Sequence, residues 1–146
     1  MNKMNDKITI ELTSKENEQI IKSIIENNKL ISKNNIDNKI FIILTKLGMP
    51  SNLHGHQYIK EAIKLSVNNN EVYLHPNRRL YPRLSKMFNV KDYMIEKSIR
   101  DAITITWNRG NFEFQNILFG YTVNRLKGKP TNGEFIAQIV NYLNTI

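Results

Sequence analysis

The stretch Leu80–Gly110, LYPRLSKMFNVKDYMIEKSIRDAITITWNRG, constrains this chain more than any other. Leu80, Leu84, Met87 and Phe88 recur at helical spacing and mark one apolar stripe of a short helix. Asn89 tolerates the left-handed backbone that a sharp helix end requires. Val90 is placed to plug the corner that follows. A second stripe, Ile95, Ile99, Ala102 and Ile103, belongs to a longer helix, and at about 100° per residue its members stay within roughly 100° of one another. Tyr93, Lys97, Arg100, Asp101 and Thr104 fall on the opposite side, with Met94 and Glu96 on its flanks. Two helices around a tight turn, the second with a polar and basic outer face, make a helix-turn-helix pattern suited to the DNA major groove. An ordinary two-helix corner with a solvated face has the same spacing.

Charge weighs toward the first reading. Residues 1–38 hold six Lys and six acidic residues; the other 15 basic and seven acidic residues lie beyond, so the whole net charge of +8 sits with the helix-turn-helix. Such an excess attracts a polyanion and releases its counterions. Basic residues around the motif suit backbone phosphates rather than base edges: Lys86, Lys91, Arg78, Arg79, Arg83, and Lys127 and Lys129 of a basic loop from Leu126 to Pro130. Lys91 stands where such motifs often place a capping serine, which forfeits a cap and adds charge.

Other classes of function are excluded more simply. With no cysteine, thiolate zinc fingers, disulfide scaffolds and thiol catalysis are ruled out. His54 and His56 lack a third ligand nearby and His75 is isolated, so no metal site is expected. No phosphate-binding glycine loop or nucleophile elbow is present. Asp92, Glu96 and Asp101 share a helix, where solvated or groove-facing charge accounts for them better than a catalytic cluster. No enzyme and no cofactor are therefore expected. The longest apolar run, Ile40 to Leu44, cannot span a bilayer, and the N-terminus lacks the apolar core of a signal peptide, so a cytoplasmic protein is expected.

The chain divides into an appendage, residues 1–35, and a main domain, residues 36–146. Lys7 to Leu12 alternates apolar and polar residues like a short strand, and Thr13 to Glu16 forms a capping box opening a helix. Ile20, Ile21, Ile24, Ile25 and Leu30 or Ile31 supply that helix with an apolar face. Ser32 to Asn38 is polar and reads as a linker. One strand and one helix cannot bury both faces alone, so the appendage folds on the main domain, pairs strands with a second copy, or stays partly disordered.

The main domain reads as helices only. They cover roughly Asn38 to Leu47, Gly55 to Val67, the two helices of the motif, Phe112 to Phe119, and Thr131 to about Asn144. Gly48, Pro50, Asn68 to Asn70 and Gly120 break them, and Thr131 to Glu134 is a second capping box. The expected fold is all-α, about six helices around a helix-turn-helix, preceded by a short strand and a helix.

Several blocks carry a resemblance. They are LGMP at Leu47 to Pro50, GHQYIKEAI at Gly55 to Ile63, LYP at Leu80 to Pro82 and KMFN at Lys86 to Asn89. WNRGN at Trp107 to Asn111, LFGYTV at Leu118 to Val123 and KPTNGEFIA at Lys129 to Ala137 follow in order. Residues 36–146 resemble the C-terminal DNA-binding effector domain of the stage-zero sporulation response regulator family. The resemblance implies an all-helical domain with the helix from Lys91 to Gly110 in the major groove, and binding as head-to-tail dimers to a short repeated DNA box. It also implies that Asn111 to Tyr121 faces the RNA polymerase sigma subunit, although Phe112, Phe114 and Phe119 are expected in the core, as is Trp107.

Two departures bear on function. The family carries a phosphorylated receiver domain ahead of the effector part, and the 38 or so residues here are too few for one, so binding without receiver phosphorylation is expected. The family's reading face has Arg at the position of Met94, Arg at that of Lys97 and His at that of Asp101, while Glu96 and Arg100 match. Tyr93, Met94, Glu96, Lys97, Arg100 and Asp101 are the expected base-reading residues. Met94 suits a thymine methyl, Lys97 a guanine or phosphate, and Glu96 a cytosine amine. Asp101 can pair with Lys97 at the i,i+4 spacing. The expected function is sequence-specific regulation of transcription on double-stranded DNA. The alternative is a protein-binding module that has lost specific DNA affinity and acts on the polymerase or on the full-length regulator.

Overall fold

The computed structural model describes residues 14–69, 71–120 and 128–146, with the side chains of 14, 27–34 and 71 left aside. Every regular element among the described residues is helical. No glycine or proline interrupts the sequence from Ser14 to Leu47, and helix α1 runs unbroken across it. The linker expected over Ser32 to Asn38 is therefore helix. Asn and Ser cost only a few tenths of a kcal/mol each relative to good helix formers, and without a breaker propagation continues through them. The expected strand at Lys7 to Leu12 lies outside the described residues.

Contacts divide the chain between Ile36 and Asp37. In the first unit α1 shows Ile20, Ile21, Ile24 and Ile25 to solvent. In the second, α1 buries Ile40, Ile43, Leu44 and Leu47 and ends at Gly48, whose φ of +91° suits a residue without a Cβ.

The second unit continues with α2 (His54–Val67), a single turn α3 (Glu71–Leu74), a π-helical turn (Pro76–Leu80), α4 (Tyr81–Phe88), α5 (Asp92–Arg109), α6 (Phe112–Phe119) and α7 (Asn132–Thr145). The two short turns between Asn70 and Tyr81 raise the count above the six helices expected. α2 is the centre of the packing, lying against both α5 and α7. Gly55 lets α2 approach α5 closely: a Cβ there would stand 2.2 Å from the Ser98 carbonyl oxygen and 2.6 Å from the Ala102 Cβ. Trp107 is half-buried, edge-on to Phe119 at 5.1 Å and to Phe135 at 6.1 Å, which anchors α5 to α6 and α7. No described helix is long and apolar enough to cross a membrane.

The helix ends are tied together by a buried amide. Gln115 Nε2 donates to the Thr106 carbonyl at 2.8 Å and to the Leu47 carbonyl at 3.3 Å, and the Asn111 N–H reaches that same Leu47 oxygen at 3.0 Å. One side chain thus joins carbonyls at the ends of α1 and α5, adding to the backbone bonds these carbonyls already accept, from the Asn111 N–H at Leu47 and from the Gly110 N–H at Thr106.

Candidate nucleic-acid interface

The turn between α4 and α5 is built as its sequence anticipates. Asn89 adopts φ 53° and ψ 49°, the left-handed conformation, and reverses the chain within one residue. The Val90 N–H donates to the Ser85 carbonyl at 3.2 Å, and the Ser85 hydroxyl donates back to the Val90 carbonyl. Val90 is partly buried against the core. Lys91 is the N-cap of α5 and makes no side-chain cap. In α4 the apolar stripe is only partly used: Leu80 and Leu84 are fully buried, but Met87 is 52% exposed, so it does not belong to the core.

α5 has two unlike sides. Ile95, Ile99, Ala102, Ile103 and Thr106 are buried. Thr106 directs its hydroxyl to the Ala102 carbonyl at 2.7 Å, so a polar residue closes the inner stripe without an unpaired group. Tyr93 is 65% exposed, and Met94, Lys97, Arg100 and Asp101 are exposed with it. Glu96 sits at the edge of this surface, its side chain 34% exposed. At 100° per residue Tyr93, Met94, Lys97, Arg100 and Asp101 fall within about 120° of one another, one continuous face.

The face is charged in alternation. Lys97 Nζ lies 3.8 Å from Asp101 Oδ2 and Arg100 Nη1 lies 3.5 Å from Glu96 Oε1, both pairs at i,i+4. Exposed pairs of this kind hold only a few tenths of a kcal/mol, so they exchange readily for a stronger anionic partner. They also mean that the outer face of α5 carries almost no net charge. The positive excess comes from its surroundings, where Lys86, Lys91, Arg78, Arg79 and Arg83 are all exposed.

Lys129 is held more closely than a loop position suggests. Its ammonium donates to Thr104 Oγ1, and that hydroxyl donates to the Arg100 carbonyl at 2.9 Å, which fixes a cation beside α5. Lys127 and Tyr121 lie outside the described residues. An open groove of about 850 Å³ runs along this side, bordered by Glu96, Arg100 and Lys129 and by Thr131 to Glu134 at the start of α7. Thr131 caps α7, accepting from the Glu134 N–H at 3.2 Å.

Two residues take positioning roles that the sequence does not signal. Asn132 Nδ2 donates to the Tyr81 hydroxyl at 3.0 Å and to the Glu96 carbonyl at 3.1 Å, locking α7 to both helices of the motif. Burial raises the Tyr81 phenol above its ordinary pKa, so it stays protonated there. Gln115 is the other. Neither contact can be read from the sequence, even though Asn132 lies within the Thr131 to Glu134 capping box, because each is made with groups on other helices.

α6 departs from expectation at its start. Phe119 is buried and Phe114 half-buried, with Lys46 Nζ 5.8 Å from the Phe114 ring centre, but Phe112 is 77% exposed and Ile117 80%. Phe112 is the first residue of its helix, and side chains lean toward the N-terminus, so its ring projects past the end of α6 instead of onto the core.

The histidines do not assemble a metal site. No group of three His, Cys, Asp or Glu could hold a metal ion among the described residues. His56 is buried, its Nε2 without a hydrogen-bond partner among the described residues, and burial together with nearby Lys60 holds its pKa below the usual value. His54 stacks on Tyr58 at 6.5 Å, and His75 is exposed. Lys64 pairs with Asp37 at 3.1 Å, a hydrogen bond that raises the lysine pKa.

Thus a compact helical unit presents the outer side of α5 to solvent, beyond a left-handed corner, among exposed basic side chains. The family model described as the sporulation initiation factor Spo0A C terminal matches residues 40–143. The chain belongs to that family, a DNA-binding effector domain of transcription regulators in sporulation.

Proposed function

We propose that this chain regulates transcription by binding a specific double-stranded DNA sequence through the outer face of α5. The observation that carries the reading is the exposure of Lys97 and Arg100, whose side chains are 65% and 52% accessible on the helix that follows the Asn89 corner. Tyr93, Met94, Glu96 and Asp101 complete the base-reading set. Lys86, Lys91, Arg79, Arg83, Lys127 and Lys129 hold phosphates; for Lys129 the support is its tether to Thr104. Met94 in place of a forked arginine favours contact with a thymine methyl over a guanine.

The experiment is a salt titration of duplex binding by the purified, unphosphorylated chain. Several phosphate contacts require log K to fall by about 0.9 per contact for each unit of log salt. Flat, negligible binding at low salt would remove the reading.

A second surface has its own support. Phe112 and Ile117 are both largely exposed on α6, in the stretch through which we propose contact with the RNA polymerase sigma subunit. Exposed aromatic and aliphatic side chains of this kind suit a protein partner, not DNA. The same observation favours the second reading, a protein-binding module that has given up specific DNA binding. Phe112→Ala separates the two: with DNA binding intact and transcriptional effect lost, both surfaces work together.

A further inference from the structure

The isoleucines at the start of α1 have no part in the reading above. Ile20, Ile21, Ile24 and Ile25 lie on adjacent turns and cover about 140° of helix surface. Each is close to half exposed, from 43% for Ile20 to 56% for Ile21. Together they offer on the order of 400 Å² of apolar surface, comparable to the largest patch a soluble monomer usually carries.

Charge and area indicate what covers them. Residues 14–36 carry Lys15, Lys22, Lys29 and Lys33 against Glu16, Glu18 and Glu26, so this segment is close to neutral while residues 39–146 hold the positive excess. A nearly neutral helix attracts neither DNA nor a strongly charged protein, but two copies of it meet without repulsion. It has no aromatic residue, and a helix lying on a membrane usually shows aromatics opposite a lysine-rich face. Two such stripes face to face bury on the order of 800 Å² of apolar surface, most of the roughly 60% apolar share of a standard interface of about 1,600 Å². Ser14 to Ile36 rises about 35 Å as a helix, enough for a pair several turns long.

We propose that the isoleucine stripe Ile20–Ile25 pairs with the same stripe of a second copy, making the chain a homodimer through α1. The contact is isologous, the same patch on both subunits. It does not depend on the DNA reading and is tested without DNA.

Sedimentation equilibrium of the full chain at tens of micromolar should show a dimer. The double variant Ile20→Glu/Ile24→Glu should be monomeric, its dissociation constant raised at least tenfold. Fluorescence of the single tryptophan, Trp107, reports the second unit, and its thermal unfolding should show that unit intact in the variant. The absence of cysteine allows an independent probe: Ile24→Cys should form disulfide-linked dimers on mild oxidation, whereas Met87→Cys, exposed in the other unit, should not. A wild-type chain that stays monomeric overturns the proposal, since the stripe would then be covered by residues 1–13 or by another protein. A double variant that dimerises as well as the wild type overturns it also.

Discussion

The two sides of α5 are made from the same eighteen residues and differ in almost every property. The inner side is aliphatic, fully buried and close to the backbone of α2 at Gly55. The outer side is polar and exposed, with weak pairs within the helix at Lys97–Asp101 and Arg100–Glu96. Stability therefore depends on one side and the recognition we propose on the other, and substitutions should separate the two.

The largest expected effect is on the inner side. Ile99→Ala should lose about 2–5 kcal/mol of unfolding free energy by leaving a cavity in a filled core, measured by chemical denaturation. Lys97→Ala, two residues away, should leave stability within about 0.5 kcal/mol. If both destabilise alike, the division between the faces is wrong. Gly55→Ala comes next, at about 1–3 kcal/mol, because the new methyl meets the Ser98 carbonyl and forces α2 away from α5.

Acid should weaken the fold through His56. Its pKa is depressed in the folded state, so the unfolded chain binds a proton first as pH falls below the ordinary histidine value of about 6.5. The unfolding midpoint should fall with pH in that range and hold level above it, and a profile flat through the range would mean His56 is solvated. The smallest effect is expected outside. Asp101→Asn should change stability by at most about 0.5 kcal/mol, as it removes only an exposed pair with Lys97. It should tighten DNA binding at low salt by removing a negative charge and releasing Lys97; weaker binding would show that Asp101 contacts a base.

What the sequence revealed follows from where its signals are local. Asn89 and Thr131 carry their structural reason in their own side chains, so the corner and the α7 cap could be read directly. The faces of α5 could be read because eighteen residues give several turns of periodicity. α6 has only eight, and Phe112 shares the angular position of Phe119 at i,i+7 while lying beyond the packed surface; spacing does not distinguish a helix end from its middle. The unbroken α1 was hidden by asparagines that lower helix propensity without ending the helix. Gln115 was invisible because its partners at Leu47 and Thr106 become neighbours only in the folded chain. Of the proposed contact residues, the outer face of α5 and the Lys97–Asp101 pair could be read from helical spacing, whereas the sequence has no means of showing that Lys129 reaches Thr104.

Random-site selection from duplex DNA tests the central claim most directly, with the wild-type chain, Glu96→Ala, Lys97→Ala and Lys86→Ala run in parallel. A defined sequence should be enriched by the wild type. Glu96→Ala and Lys97→Ala should change the bases preferred, while Lys86→Ala keeps the sequence and weakens every site, lowering the salt slope by about one contact. No enrichment by the wild type, or identical preferences in all four proteins, would contradict base reading by the outer face of α5.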